Sequence, residues 1–315
     1  MFQFPRAPAA AGVLLSAVLS LAGCATPQVA ALLSRPPEQL PPRVELSAVP
    51  FHPQKDYQCG PAALATALVH VGAATTPEAL VSQVYLPARE GSLQVEMLAA
   101  ARRHGRVAYR PGPQLRDILS EIASGTPVIV LQNLAFNFAP RWHYAVAIGY
   151  DLPREEIILR SGTTERLAMT LSNFERTWAR SGYWAMMTLP PERLPVTATE
   201  DRYVVSAVSL ERAAPAAARR AYQTALERWP DNLPARIGLG NAAYALGDLA
   251  GAEAAYREAV RRHPGAADAW NNLAQALLDQ HRRDEALMAA RRAVDIGGPR
   301  LVDYQATLKT ASELR

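Results

Sequence analysis

The sequence predicts two structural classes in series: an α+β domain in the first half and an all-α repeat solenoid in the second. Three observations carry this expectation. Between residues 60 and 189, segments of helical period come first and segments of strand period follow. From Ala218 onward, alanines recur every 34 residues. Prolines crowd residues 27–42 and 190–195, where pieces of chain join. A length of 315 residues suits two modest domains with flanking segments, and 49% hydrophobic against 20% charged residues reads as globular.

The N-terminus is an address. Arg6 supplies a positive start, and Ala9 to Leu21 is an apolar run too short to span a bilayer. It ends in Leu21-Ala22-Gly23-Cys24. These residues resemble the lipobox of bacterial lipoproteins. The resemblance implies a signal peptide over 1–23, a diacylated Cys24 as mature N-terminus, and a membrane contact made by the lipid anchor only. A plain cleaved signal peptide is the other reading; Leu21 and Cys24 favour lipidation. Ala25 stands where an aspartate would imply inner-membrane retention, so the expected place is the outer membrane, facing the periplasm. Residues 24–45 hold Pro27, Pro36, Pro37, Pro41 and Pro42, which predicts a semi-extended tether.

Residues 46–190 form the α+β part. Gly60 to Val71 has helical period, with Leu64, Leu68 and Val71 on one face. Thr76 caps a second helix that opens on Pro77. Ser92 to His104 and Gln114 to Ser124 are the third and fourth, each closed by a glycine, Gly105 and Gly125. Strands are expected at Pro127–Gln132, His143–Tyr150, Glu156–Arg160, Arg166–Thr170 and Tyr183–Leu189.

Cys59 falls where loop becomes helix, in Gln58-Cys59-Gly60-Pro61. A helix N-terminus favours the thiolate, the reactive form of the side chain. Gly60 is read as letting a substrate approach the sulfur. His143 lies 84 positions later and starts a strand, with Ala145 and Ala147 on its face. His52, His70, His104, His263 and His281 have structural readings alone. Only two cysteines exist, Cys24 and Cys59, and both contexts call for a free sulfur, so no disulfide is expected.

Gln54 with Cys59-Gly60-Pro61-Ala62-Ala63-Leu64, and His143-Tyr144-Ala145-Val146-Ala147-Ile148-Gly149-Tyr150, together resemble the family-thirty-nine-like cysteine peptidases. These belong to the papain-like clan and are relatives of bacteriocin leader peptidases. The resemblance implies an α+β papain-like cysteine peptidase domain. It implies Cys59 as nucleophile, His143 as proton shuttle, and an upstream glutamine side chain with the Cys59 N–H as oxyanion hole. Gln54 is preferred for that hole and Gln58 is the other candidate. Gln54 lies five residues before the cysteine, where the family places six. The family's orienting aspartate is missing from Ile157-Ile158-Leu159-Arg160-Ser161-Gly162; Ser161, or a backbone carbonyl, is expected to accept the His143 Nδ1–H bond.

After a linker over 191–211, residues 212–315 repeat. Ala218, Ala252 and Ala286 are in register, as are Ala225, Ala259 and Ala293, Tyr222 and Tyr256, Pro230 and Pro264, and Leu239 and Leu273. The pattern resembles tetratricopeptide repeats, an all-α solenoid. Two repeats are full, an upstream one is complete only in its second helix, and Leu301 to Leu314 is the cap. The resemblance implies a peptide or protein partner in a groove lined from among Asn241, Tyr244, Asn271, Asn272 and Gln275.

The formal charge of +4 is almost all arginine, since Lys55 and Lys309 are the only lysines. Arginine pairs on helices, without interleaved aromatics, read as solvated faces and exclude a nucleic-acid surface. Nothing resembles a metal cluster, a phosphate loop or a redox Cys-x-x-Cys, so no cofactor or metal is expected. Three functions compete: a thiol peptidase acting on a peptide or protein substrate, a catalytically weak or inactive papain-like module on a scaffold lipoprotein, and a peptidoglycan peptidase or amidase. The glutamine-to-CGP motif argues against the last.

Overall fold

A computed structural model describes residues 26–313; the signal segment and Cys24 lie outside the described residues. The N-terminal helices and short strands are α1 (Pro27–Ser34), β1 (Arg43–Glu45), α2 (Cys59–His70), α3 (Pro77–Val84), β2 (Tyr85–Leu86), β3 (Gly91–Ser92), α4 (Gln94–Arg103), β4 (Val107–Tyr109) and α5 (Leu115–Ala123). The longer strands follow as β5 (Val128–Asn133), β6 (Trp142–Asp151), β7 (Glu156–Ser161) and β8 (Thr164–Thr170), then α6 (Leu171–Ala179) and β9 (Ala185–Leu189). The rest is helical: α7 (Glu200–Val208), α8 (Pro215–Arg228), α9 (Leu233–Ala245), α10 (Leu249–Arg262), α11 (Ala267–Asp279), α12 (Arg283–Ile296) and α13 (Leu301–Glu313). An α+β region followed by a helical solenoid is the class expected. The strand β6 and the Thr76 cap, which accepts the Ala79 N–H at 3.3 Å, fall where the sequence placed them.

Two compact units share the chain. One comprises residues up to Pro53 with Gly112–Ala185; the other comprises Gln54–Pro111 with Met186 onward. The division therefore cuts through residues 46–190 instead of falling at their end.

In the first unit, β5, β6, β7 and β8 pair antiparallel in that order, and β1 joins β6 with Arg43 opposite Asp151. β6 is buried from Tyr144 to Asp151, so one apolar run serves both faces. Helix α6 went unassigned by sequence; Leu171, Phe174 and Trp178 form its buried stripe, and Thr170 caps it.

The tether over 24–45 needs correction within its described part. Pro27 takes the first helical position, where the missing N–H costs nothing. Val29 and Leu32 are buried, and the Gln28 and Val29 N–H groups donate to the buried Glu175 carboxylate at 3.0 and 2.7 Å. The other prolines fall between α1 and β1, so they do not prevent packing.

In the second unit, α2 is buried all round from Gly60 to Leu68, not along one face, because it is apolar throughout. β4 pairs β9, and Thr188 donates to the Ala67 carbonyl at 3.0 Å. The linker reading of 191–211 is corrected as well. Tyr203, Val204 and Ala207 of α7 are buried, and Tyr203 donates to the Pro191 carbonyl at 3.1 Å. Tyr109 donates to the Thr197 carbonyl at 3.1 Å, which ties this segment to β4.

The solenoid pairs α9 with α10 and α11 with α12; α8 is the upstream second helix, and α13 covers the end with Tyr304, Thr307 and Ala311 buried. All six register alanines are fully buried. The rings of Tyr222 and Tyr256 lie where a Cβ on Gly238 and Gly240 would stand, so these two glycines let the helices close. The expected groove set is mostly occupied internally. Asn271 is buried, the Tyr256 hydroxyl and the Asn272 amide both donate to Asn241 Oδ1 at 2.9 and 3.1 Å, and Gln275 donates to Thr307 at 2.9 Å. Tyr244 donates to Asp279. The arginines pair with nearby acids: Arg261 and Arg262 both hold Glu258 at 2.6 Å and keep its carboxyl below the usual range. No helix among the described residues is long and apolar enough to cross a membrane.

Candidate active site

Cys59 is the first residue of α2 and is half-buried. The turn that delivers it is unusual. Tyr57 adopts φ +60°, a left-handed conformation that costs a non-glycine residue roughly 1–2 kcal/mol. Gln58 then stands at the N-cap position without a side-chain cap bond; its N–H donates to the Lys55 carbonyl at 3.0 Å and its carbonyl accepts the Ala62 N–H at 3.2 Å. The sulfur thus belongs to the first residue of a helix, whose N-terminal partial positive charge favours the thiolate.

Gly60 has a different reason from the one expected. A Cβ there would collide with the Ser92 Cβ and Oγ, so the glycine admits β3 against the start of α2. Gln54 is half-buried on the same unit, and its Oε1 is buried without a hydrogen-bond partner. A buried amide left this way is costly for folding alone and is a functional-site signal.

His143 is on the other unit, on β6, half-buried between the exposed Trp142 and the buried Tyr144. Its Nε2 is 2.9 Å from the Ser161 Oγ on β7. Ser161 is therefore the orienting partner, but through Nε2 and not through Nδ1 as expected. In the tautomer that carries its proton on Nε2, that proton is donated to the hydroxyl and Nδ1 is the basic nitrogen. Desolvation, helped by the Arg141 charge, pushes the imidazole down to about 4, so it is neutral at physiological pH.

The structure thus brings His143 to Ser161. It places Cys59 and Gln54 on one unit and His143 on the other. Sequence reasoning missed Gln132, which stands opposite His143 in the β5–β6 ladder and is buried. Its amide donates to Thr177 Oγ1 at 2.7 Å, tying the strand beneath His143 to α6. A glutamine inside the run Val128-Ile129-Val130-Leu131-Gln132 was the available signal.

Residues 46–186 match the Peptidase_C39 like family, and residues 208–266 and 237–300 match the tetratricopeptide repeat. The chain carries a C39-like peptidase domain joined to tetratricopeptide repeats. No curated protein matches it. Among solved structures, a protein described as a C39-like peptidase from Bacillus anthracis is 19% identical, over 47% of this chain and 97% of its own, with a TM-score of 0.39. The TPR2B domain of yeast Sti1, solved in a complex with Hsp70, is 17% identical over 37% of this chain and 95% of its own, with a TM-score of 0.34. The C39-like domain thus occupies under half of the chain, and its helical half, Gln54–Pro111, shares a unit with the repeats.

Proposed function

We propose that this chain is an envelope lipoprotein with thiol peptidase activity, anchored at Cys24 and facing the periplasm from the outer membrane. The observation that carries the catalytic part is His143, neutral and oriented by Ser161, within a C39-like domain. Cys59 Sγ attacks the peptide carbonyl carbon while its proton passes to His143 Nδ1. The oxyanion accepts hydrogen bonds from the Gln54 amide and the Cys59 N–H. His143 returns the proton to the leaving amine as the C–N bond breaks, and then activates the water that hydrolyses the thioester. The repeats bind a polypeptide and raise its local concentration at the peptidase domain.

The second reading is a weak or inactive papain-like module on a scaffold lipoprotein. The Ser161 pairing favours it, because a neutral oxygen offsets imidazolium charge less than a carboxylate does. Alkylation by iodoacetamide at pH 6 separates the two. The peptidase reading expects Cys59 to react faster than a free thiol and His143→Ala to slow it. Labelling at the free-thiol rate in both chains would leave the scaffold reading standing. Mass spectrometry of the N-terminal peptide tests Cys24: an unmodified cysteine, or a mature start beyond it, would make the segment a plain signal peptide.

A further inference from the structure

The loop joining β5 to β6 presents two aromatic rings to solvent. Phe138 is 86% exposed and Phe136 64%, and their rings stack at 5.3 Å and 8°. Leu134 and Trp142 flank them and are also exposed. The presentation is built, not slack. Asn133, itself buried, accepts the Ala135 and Arg141 N–H groups on Oδ1 at 3.1 and 2.9 Å and donates to the Phe136 carbonyl at 3.3 Å. Arg180 donates to the Asn133 and Ala135 carbonyls at 3.2 and 2.7 Å. A polar scaffold that holds stacked phenylalanines outward has no purpose in a core, and such a patch marks a contact surface.

We propose that this hairpin is a membrane-contacting element that sets Phe136 and Phe138 into the headgroup region of a phospholipid bilayer beside the acyl anchor. The choice of lipid rests on the Cys24 reading and on the packing of α1 that follows it. Cys24 precedes Pro27 by three residues, a reach of about 10 Å. Since α1 is packed and not tethered, an acylated Cys24 holds the first unit against the bilayer. Glu175 of α6 receives the first N–H groups of α1, and Arg180, just past the end of α6, grips the base of the hairpin. Those two residues are five apart, about 7.5 Å of helix. The anchor seat and the hairpin base are therefore both held by the α6 segment of one unit. Aromatic rings favour the membrane–water interface, and the exposed guanidinium groups of Arg141 and Arg180 suit lipid phosphates. A convex pair of rings at a hairpin tip is also a poor substrate pocket, since ligand sites are concave.

The test uses the mature chain with Cys24→Ser, so that no acyl chain contributes, and vesicles of phosphatidylethanolamine and phosphatidylglycerol in equal parts. The parent should float with the vesicles, and Phe136→Ser/Phe138→Ser should bind on the order of tenfold more weakly per ring, with unchanged circular dichroism. Brominated acyl chains should quench emission in the parent more than in Trp142→Phe. Cys59→Ala should float like the parent, which separates this result from the fate of the peptidase reading. Equal flotation of parent and double variant overturns the proposal, as does a parent that does not float. If the double variant instead loses self-association or peptide cleavage while floating equally, the hairpin is a contact with a second copy or with substrate.

Discussion

At His143 the environment works against charge. Burial, then the Arg141 guanidinium, hold the imidazole at about 4 instead of 6.5. Between those values the unfolded chain binds a proton that the folded chain refuses, so stability falls as pH drops through that window. Relative to His143→Gln, the native chain should lose on the order of 2 kcal/mol between pH 7 and pH 4, after a discount for the ring's partial exposure. Urea unfolding of both chains across that range measures it; a constant difference would show the imidazole to be unperturbed. The same cause keeps the ring unprotonated well into acid. The residue types at Cys59 and His143 were legible because each sits at a recognisable local transition, loop to helix and loop to strand. The nitrogen that meets Ser161 was not legible, since ring orientation depends on the placement of β7 beside β6.

Among the elements, helix α2 shows how a motif residue can serve packing. Gly60→Ala should destabilise the chain by roughly 1–3 kcal/mol, because the added methyl meets Ser92. In a Ser92→Gly background most of that cost should vanish, and thermal melts of the four chains form the cycle that measures the coupling. A full cost retained without the Ser92 side chain would return Gly60 to the role of opening the sulfur to substrate. Helix α3 was readable from Thr76 and Pro77, whose capping and φ preferences act over three residues. Helix α6 carried its stripe of Leu171, Phe174 and Trp178 in only nine residues. A run that short, directly after a strand, gives periodicity little to work on.

For the whole molecule, chain order and packing order differ. Gln54–Pro111 folds into one unit with the repeats, though 74 residues (112–185) intervene before the chain returns at Met186. Tyr109 holds Thr197, and Gly105 lies against Ala217. A chain ended at Pro190 should therefore melt several degrees lower over its α2–α4 helices and lose two-state behaviour. Hydrogen exchange of the α2 amides in both chains checks this. Equal protection would show that the helical half of the C39-like domain is self-sufficient and the repeats an appendage.

What the sequence determined by itself was everything governed by near neighbours. The Thr76 cap, the apolar run of β6 and the 34-residue register of Ala218, Ala252 and Ala286 are properties of short windows, or of one window repeated. Tertiary structure decided what depends on partners far along the chain. Prolines made residues 27–45 look unpackable until Glu175, 147 positions from Gln28, received the first turn of α1. The segment 191–211 read as a linker until Tyr109 and Pro191 supplied its hydrogen bonds. Exposed rings at Phe136 and Phe138 had no meaning in a pattern of apolar residues, because hydrophobicity is written in sequence and exposure is written only in the fold.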